Sequence, residues 1–145
     1  MKKLLTFFTL LITVFTFSQN IYNSNNIDKF AVYPDCKDES DSYLECFKNK
    51  LNEEVSDKLS KMTLDKILRG SSDYFAKLNF VIDENGYFTN ITSQGNETLA
   101  RISTQILYRI NREQEEEKTT KIKPALVNGN PVKVYFNISV HYTNK

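Results

Sequence analysis

The sequence predicts a mixed α+β domain, and three observations carry that reading. Residues 44–59 and 99–110 repeat apolar side chains every three or four positions, the spacing of one helical face. The stretch "LNFVIDENGYF" has the alternation and the Asn-Gly pair of a β-hairpin. Residues 132–142 then alternate cleanly: Val132, Val134, Phe136, Ile138, Val140 and Tyr142 fall on one side of an extended chain, and Lys133, Tyr135, Asn137, Ser139 and His141 on the other.

From the N-terminus, "MKK" followed by an apolar run over residues 4–17 has the layout of a secretory signal, with a small residue, Ser18, at the expected cleavage point. The run is shorter than the ~20 residues that cross a bilayer as a helix. Residues 1–18 are therefore expected to be a cleaved signal peptide, residues 19–29 a poorly ordered asparagine-rich lead-in, and residues 30–145 one domain. The chain carries 19 Lys+Arg against 18 Asp+Glu, and Lys2 and Lys3 fall in the signal, so the remainder is close to neutral. With no basic stripe, nucleic acid is not an expected partner. Nothing after the signal predicts membrane insertion.

Cys36 and Cys46 are the two cysteines of a chain expected in an oxidising compartment, where a pair is read as a structural disulfide. Such a bridge ties the "YPDC" segment to the first turns of the first helix. Asp38 and Ser42 bracket candidate caps for that helix, which carries Leu44, Phe47, Leu51, Val55 and Leu59 on one face. In the hairpin, Leu78, Phe80 and Ile82 share a face, and Asn85-Gly86 suits a tight turn because both residues tolerate positive φ. Phe88 and Ile91 on the return strand differ in parity, so either a bulge falls between them or one faces outward. The second helix carries Leu99, Ile102, Ile106 and Ile110 on one face with Leu107 beside them, and Glu113 to Glu117 read as a solvated helix end. Pro131 opens the last strand, where a missing N–H is tolerated.

No catalytic grouping emerges. His141 is the single histidine, lies on the polar side of the last strand and has no carboxylate near it in sequence. Asp83 and Glu84 flank a turn, where acidic residues are common for local reasons. Gly70, Gly86, Gly95 and Gly129 each stand alone, so there is no phosphate-cradling loop. The expectation is a non-enzymatic protein without catalytic residues, metal site or cofactor. The long last strand, by contrast, is able to accept another strand along its edge.

The order of "YPDC", helix, "FVIDENG" hairpin, second helix and "KIKPALVNGNPVKVYFNISVHY" resembles the C-terminal domain of TonB-type energy transducers, in a variant carrying a cysteine pair. The similarity covers about residues 32–142. It implies a three-stranded antiparallel sheet with two helices packed on one face, a periplasmic location, and binding of a TonB-box segment of an outer-membrane transporter as an added strand. That role carries over onto Val132, Val134, Tyr135, Phe136, Asn137 and Ile138, with backbone groups giving affinity and outward side chains such as Tyr135 and Asn137 selectivity. A transducer also has a membrane anchor and a long proline-rich spacer. A signal and an asparagine-rich lead-in stand in their place here, so a free periplasmic module is expected. The alternatives are a short transducer or accessory subunit anchored by a retained apolar segment, and a self-associating structural protein that dimerises through its last strand.

Overall fold

The first helix, α1 (Tyr43–Ser60), starts where the Ser42 hydroxyl accepts the Glu45 backbone N–H at 3.3 Å, one of the donors that a helix start leaves unpaired. Its apolar stripe buries Phe47, Leu51, Val55 and Leu59, as the spacing predicts. The computed structural model describes residues 20–37, 42–70 and 72–144. The expected signal, residues 1–18, lies outside the described residues.

Strands β2 (Asp73–Ile82) and β3 (Phe88–Gly95) form the expected antiparallel hairpin. The parity conflict between Phe88 and Ile91 is resolved by a bulge. Asn79 pairs with Thr92 and Val81 with Thr89, so Asn90 and Ile91 together oppose Phe80. Asn90 takes φ 51°, and the extra residue returns Ile91 to the core side. The second helix, α2 (Glu97–Glu116), is capped by Asn96, whose side chain accepts the Leu99 N–H at 3.0 Å. Its buried face includes Leu99, Ile102, Ile106, Leu107 and Ile110.

A short strand, β4 (Ala125–Val127), leads into the last strand, β5 (Asn130–Thr143). Another, β1 (Ile21–Tyr22), comes from the asparagine-rich segment. The sheet runs β1-β5-β2-β3, with β4 paired to the start of β5. Every neighbouring pair is antiparallel except β1 and β5, which are parallel.

The class is α+β, but the expected three-stranded antiparallel sheet is corrected to a five-stranded mixed one. The long antiparallel strands β2, β3 and β5 are its centre, and β1 and β4 are additions too short to show any period in sequence. The lead-in is corrected too. Besides β1, the Asp28 and Lys29 backbone N–H groups donate to the Leu126 carbonyl, and Val32 and Lys123 exchange hydrogen bonds of 2.9 and 3.0 Å.

Both Asn-Gly pairs sit in turns, of different kinds. At Asn128-Gly129 both residues have positive φ (51° and 76°), closing the two-residue β4–β5 hairpin. At 85–86 only Gly86 does, at φ 86°. There the Asp83 carboxylate accepts the N–H groups of Asn85 and Tyr87 at 2.8 and 2.9 Å, holding a wider loop than the tight turn expected.

Alternate residues of β5, Val134, Phe136, Ile138 and Val140, are buried in the core, with α1 packed against the strand. Phe136 lies in an aromatic cluster, with ring centroids 5.2 Å from Phe30, 5.6 Å from Phe47 and 5.9 Å from Phe80. Cys36 and Cys46 are bonded, Cα atoms 6.1 Å apart, anchoring the "YPDC" segment to the first turn of α1.

Candidate functional site

Which backbone groups of β5 are left for another strand follows from the phase of its pairing with β2. In an antiparallel ladder a residue points both its N–H and its C=O either at the partner strand or away from it, alternately. Asn144 N–H donates to the Ser72 carbonyl at 2.8 Å, so the residue after β5 points at the β2 side. The Phe75 carbonyl instead accepts Asn96 N–H on the β3 side, so Phe75 and its partner His141 turn their groups away from each other. Both observations give one phase, and the register from Asp73↔Thr143 to Ile82↔Val134 runs without a shift. The even-numbered residues of β5 therefore bond to β2. Tyr135, Asn137, Ser139, His141 and Thr143 turn their N–H and C=O groups to the opposite, outer edge.

That edge is occupied at its start only. β1 pairs in parallel there, Ile21 with Lys133 and Tyr22 with Val134. Residues 130–132 pair with β4 through Ala125↔Val132, Leu126↔Pro131 and Val127↔Asn130, but there the even residues Asn130 and Val132 face β4, so β4 continues the side that β2 takes further along and does not cover the outer edge. In a parallel pair the bonds run to the residues on either side of the opposite number, so the Tyr22↔Val134 pair takes up the Tyr135 N–H. From the Tyr135 carbonyl to Thr143 no described strand covers the outer side, a lane of just under 30 Å at ~3.4 Å per residue.

The lane has a wall on its core side. The first turns of α1 bring Leu44, Glu45 and Lys48 beside Tyr135, Phe136 and Asn137, and Asn23 and Ser24 close the end, around a groove of about 460 Å³. An added strand would alternate its side chains between this wall and the open sheet face. On that face Tyr135, 40% exposed, donates its hydroxyl to Asn79 Oδ1 at 2.8 Å, and His141 packs on Phe75 with ring centroids 5.0 Å apart.

The two outer edges of the sheet differ in character. Natural sheets blunt exposed edges with bulges, prolines or charged side chains. The β3 edge carries the Asn90–Ile91 bulge and ends on Gly95 at φ 105°. Residues 135–143, "YFNISVHYT", hold no proline, no glycine, no bulge and no Asp, Glu, Lys or Arg.

The expected binding residues thus divide. Asn137 offers both backbone and side chain to the lane, and Tyr135 its carbonyl and side chain. Phe136 and Ile138 are buried with their backbone turned to β2, so their part is to hold the strand in the core. Val132 and Val134 turn their backbone groups inward, to β4 and β2, and β1 covers the outer edge beside Val134. The uncovered edge thus overlaps the expected stretch, Val132 to Ile138, only from residue 135 onward, and runs on to Thr143. Sequence reading missed the groove wall, because Leu44 reads simply as a core position, and it missed the closing segment, because "IYNS" has no period.

A second polar cluster joins the helices. The buried Tyr33 hydroxyl donates to Glu54, and Lys58 Nζ lies 2.7 Å from Glu113 and 3.4 Å from Glu54. Burial, and then the Glu54 carboxylate, push the Tyr33 phenol well above its ordinary range. Donors and acceptors are matched here, and the cluster reads as a clamp on the "YP" segment. Nor is the end of α2 wholly solvated: Gln114 is buried, accepting Ile122 N–H at 2.9 Å and donating to the Gly86 carbonyl at 3.3 Å.

Among the described residues no group of three or more His, Cys, Asp or Glu is placed to hold a metal ion, and no helix is long and apolar enough to cross a membrane. Compared with known proteins, the chain matches no family model, no curated protein and no solved structure.

Proposed function

We propose that the protein is a non-enzymatic interaction module that accepts an extended segment of a partner protein as an added strand along residues 135–143 of β5. The observation that carries the reading is the contrast between the two sheet edges. One is bulged, while the other offers the Tyr135 carbonyl and the outward N–H and C=O groups of Asn137, Ser139, His141 and Thr143 on a regular, uncharged strand. Main-chain bonds supply affinity in such additions, and alternate side-chain contacts, here with the Leu44–Lys48 wall and with Tyr135 and Asn137, supply selectivity.

The similarity of "FVIDENG" and "KPALVNGNPV" to TonB C-terminal domains supports a more specific version. In it the location is the periplasm, reached through the N-terminal signal, and the segment is a TonB box of an outer-membrane transporter. That version rests on sequence motifs, and the strand-addition reading on the edge. Titrating the purified protein with TonB-box peptides by calorimetry tests both. Binding in the micromolar to millimolar range supports the specific version. No heat at millimolar peptide removes the TonB box as the ligand class.

The same uncharged edge favours one other occupant, a second copy of this chain pairing β5 to β5. Sedimentation equilibrium separates the two: a concentration-dependent dimer competed away by peptide means both use the lane, and a strict monomer excludes self-pairing.

A further inference from the structure

We infer that β1 is a built-in occupant of the binding lane, a displaceable strap that competes with the incoming segment. The inference rests on the strand-addition reading above. β1 lies on the edge of β5 away from β2, in line with the open stretch: Ile21 and Tyr22 pair with Lys133 and Val134, and the chain then leaves the edge where the groove begins. Asn23 and Ser24 form the end of that groove against Tyr135 and Asn137, and the Asn26 N–H to Asn23 carbonyl bond of 3.0 Å turns the backbone away. The strap thus takes two residues of an edge that would otherwise begin at Lys133.

Its hold is slight compared with that of the strand across from it. β1 makes two residue pairs with β5, whereas β2 makes ten. Ile21 is 49% exposed, so the strap buries little apolar surface. The chain behind it is fastened independently. Asp28 accepts the Asn128 N–H at 2.6 Å, and Lys29 and Leu126 exchange backbone bonds, so residues 20–24 can leave without pulling on the core. Short, exposed pairings of this kind open at far lower cost than the global fold. The strap also models its competitor: an extended, uncharged stretch with a β-branched and an aromatic residue side by side.

While the strap is closed, Tyr22 holds the Tyr135 N–H, and a partner reaches only from the Tyr135 carbonyl to Thr143. When it opens, the lane extends to Lys133 and the end of the groove is freed. If the strap is closed in about nine molecules of ten, the apparent affinity for a segment that needs the longer lane is lowered about tenfold.

The test compares the full chain with its Ile21→Pro/Tyr22→Pro variant, which cannot donate from β1, in a titration with a TonB-box peptide followed by amide shifts. The expected result is a Kd about tenfold lower in the variant, with shifts reaching Lys133. An equal Kd overturns the strap and leaves the edge reading standing, and a weaker variant overturns it by making β1 part of the site. Binding by neither protein removes the edge reading for this ligand, and the strap with it. Amide exchange in the unaltered chain is an independent check. The β1–β5 amides should exchange orders of magnitude faster than the β2–β5 ladder, and equally slow exchange rules out displacement.

Discussion

Substituting Ser139 by proline separates the edge from the fold. Ser139 lies at the middle of the open lane, with its N–H turned outward and its side chain exposed. Proline there removes a donor that the β2 ladder does not use, so the cost to stability is confined to forcing φ towards −65° in an extended strand, on the order of 1 kcal/mol. For an added strand the loss is larger. One hydrogen bond of about 0.5–1.5 kcal/mol disappears, and the pyrrolidine ring projects into a lane where strands approach to about 4.8 Å. A combined loss of about 1.4 kcal/mol or more raises Kd at least tenfold. Ile138→Pro is the matched control. Its N–H bonds to β2 and its side chain is 2% exposed, so it should cost about 3 kcal/mol or more of stability. The assay is peptide titration beside urea unfolding. A Ser139→Pro protein that is folded and binds with unchanged Kd refutes the reasoning, as does one that unfolds as readily as Ile138→Pro.

Three further outcomes follow from the packing. The Tyr33 phenol has a raised pKa in the fold, so the stability it contributes is intact below its ordinary value of 10.0 and falls as the pH climbs above it. Urea midpoints between pH 8 and 11 should show this as a slope of up to ~1.4 kcal/mol per pH unit that Tyr33→Phe reduces, and parallel slopes would contradict it. Replacing both Cys36 and Cys46 by serine opens the short loop between them and should lower unfolding free energy by roughly 2–3 kcal/mol, read from thermal melts. Gly86→Ala should destabilise by about 2 kcal/mol or more. It forces φ 86° on a residue with a Cβ and sets that Cβ 2.0 Å from the Ile122 carbonyl oxygen, so an unchanged melting temperature would mean that the 83–87 loop relaxes freely.

The elements with enough length to show a period were legible in the sequence. Both helices, the β2–β3 hairpin and the alternation of β5 stand where the apolar spacing puts them, because each buries one face and that face repeats. β1 and β4 were not, since two and three residues define no period and their partners lie far along the chain. The "ALV" and "NPV" runs flanking Asn128-Gly129 were the available signal for β4. At Asn85-Gly86 the neighbouring Asp83 selects a different loop. Alternation told which side chains of β5 face the core. It could not tell which N–H groups face outward, because that phase is set by pairing with β2 and by the Asn144 and Phe75 bonds. Hence the expected residues 132–138 include only two, Tyr135 and Asn137, that turn backbone groups to the outer edge beyond Val134.

The most direct measurement is residue-resolved amide shifts along β5 during titration with a TonB-box peptide. Strand addition predicts an alternating pattern: large shifts at the N–H groups of Asn137, Ser139, His141 and Thr143, and small ones at Phe136, Ile138 and Val140, which stay bonded to β2. Shifts of equal size at both sets, or shifts confined to β3 and α2, would contradict the account.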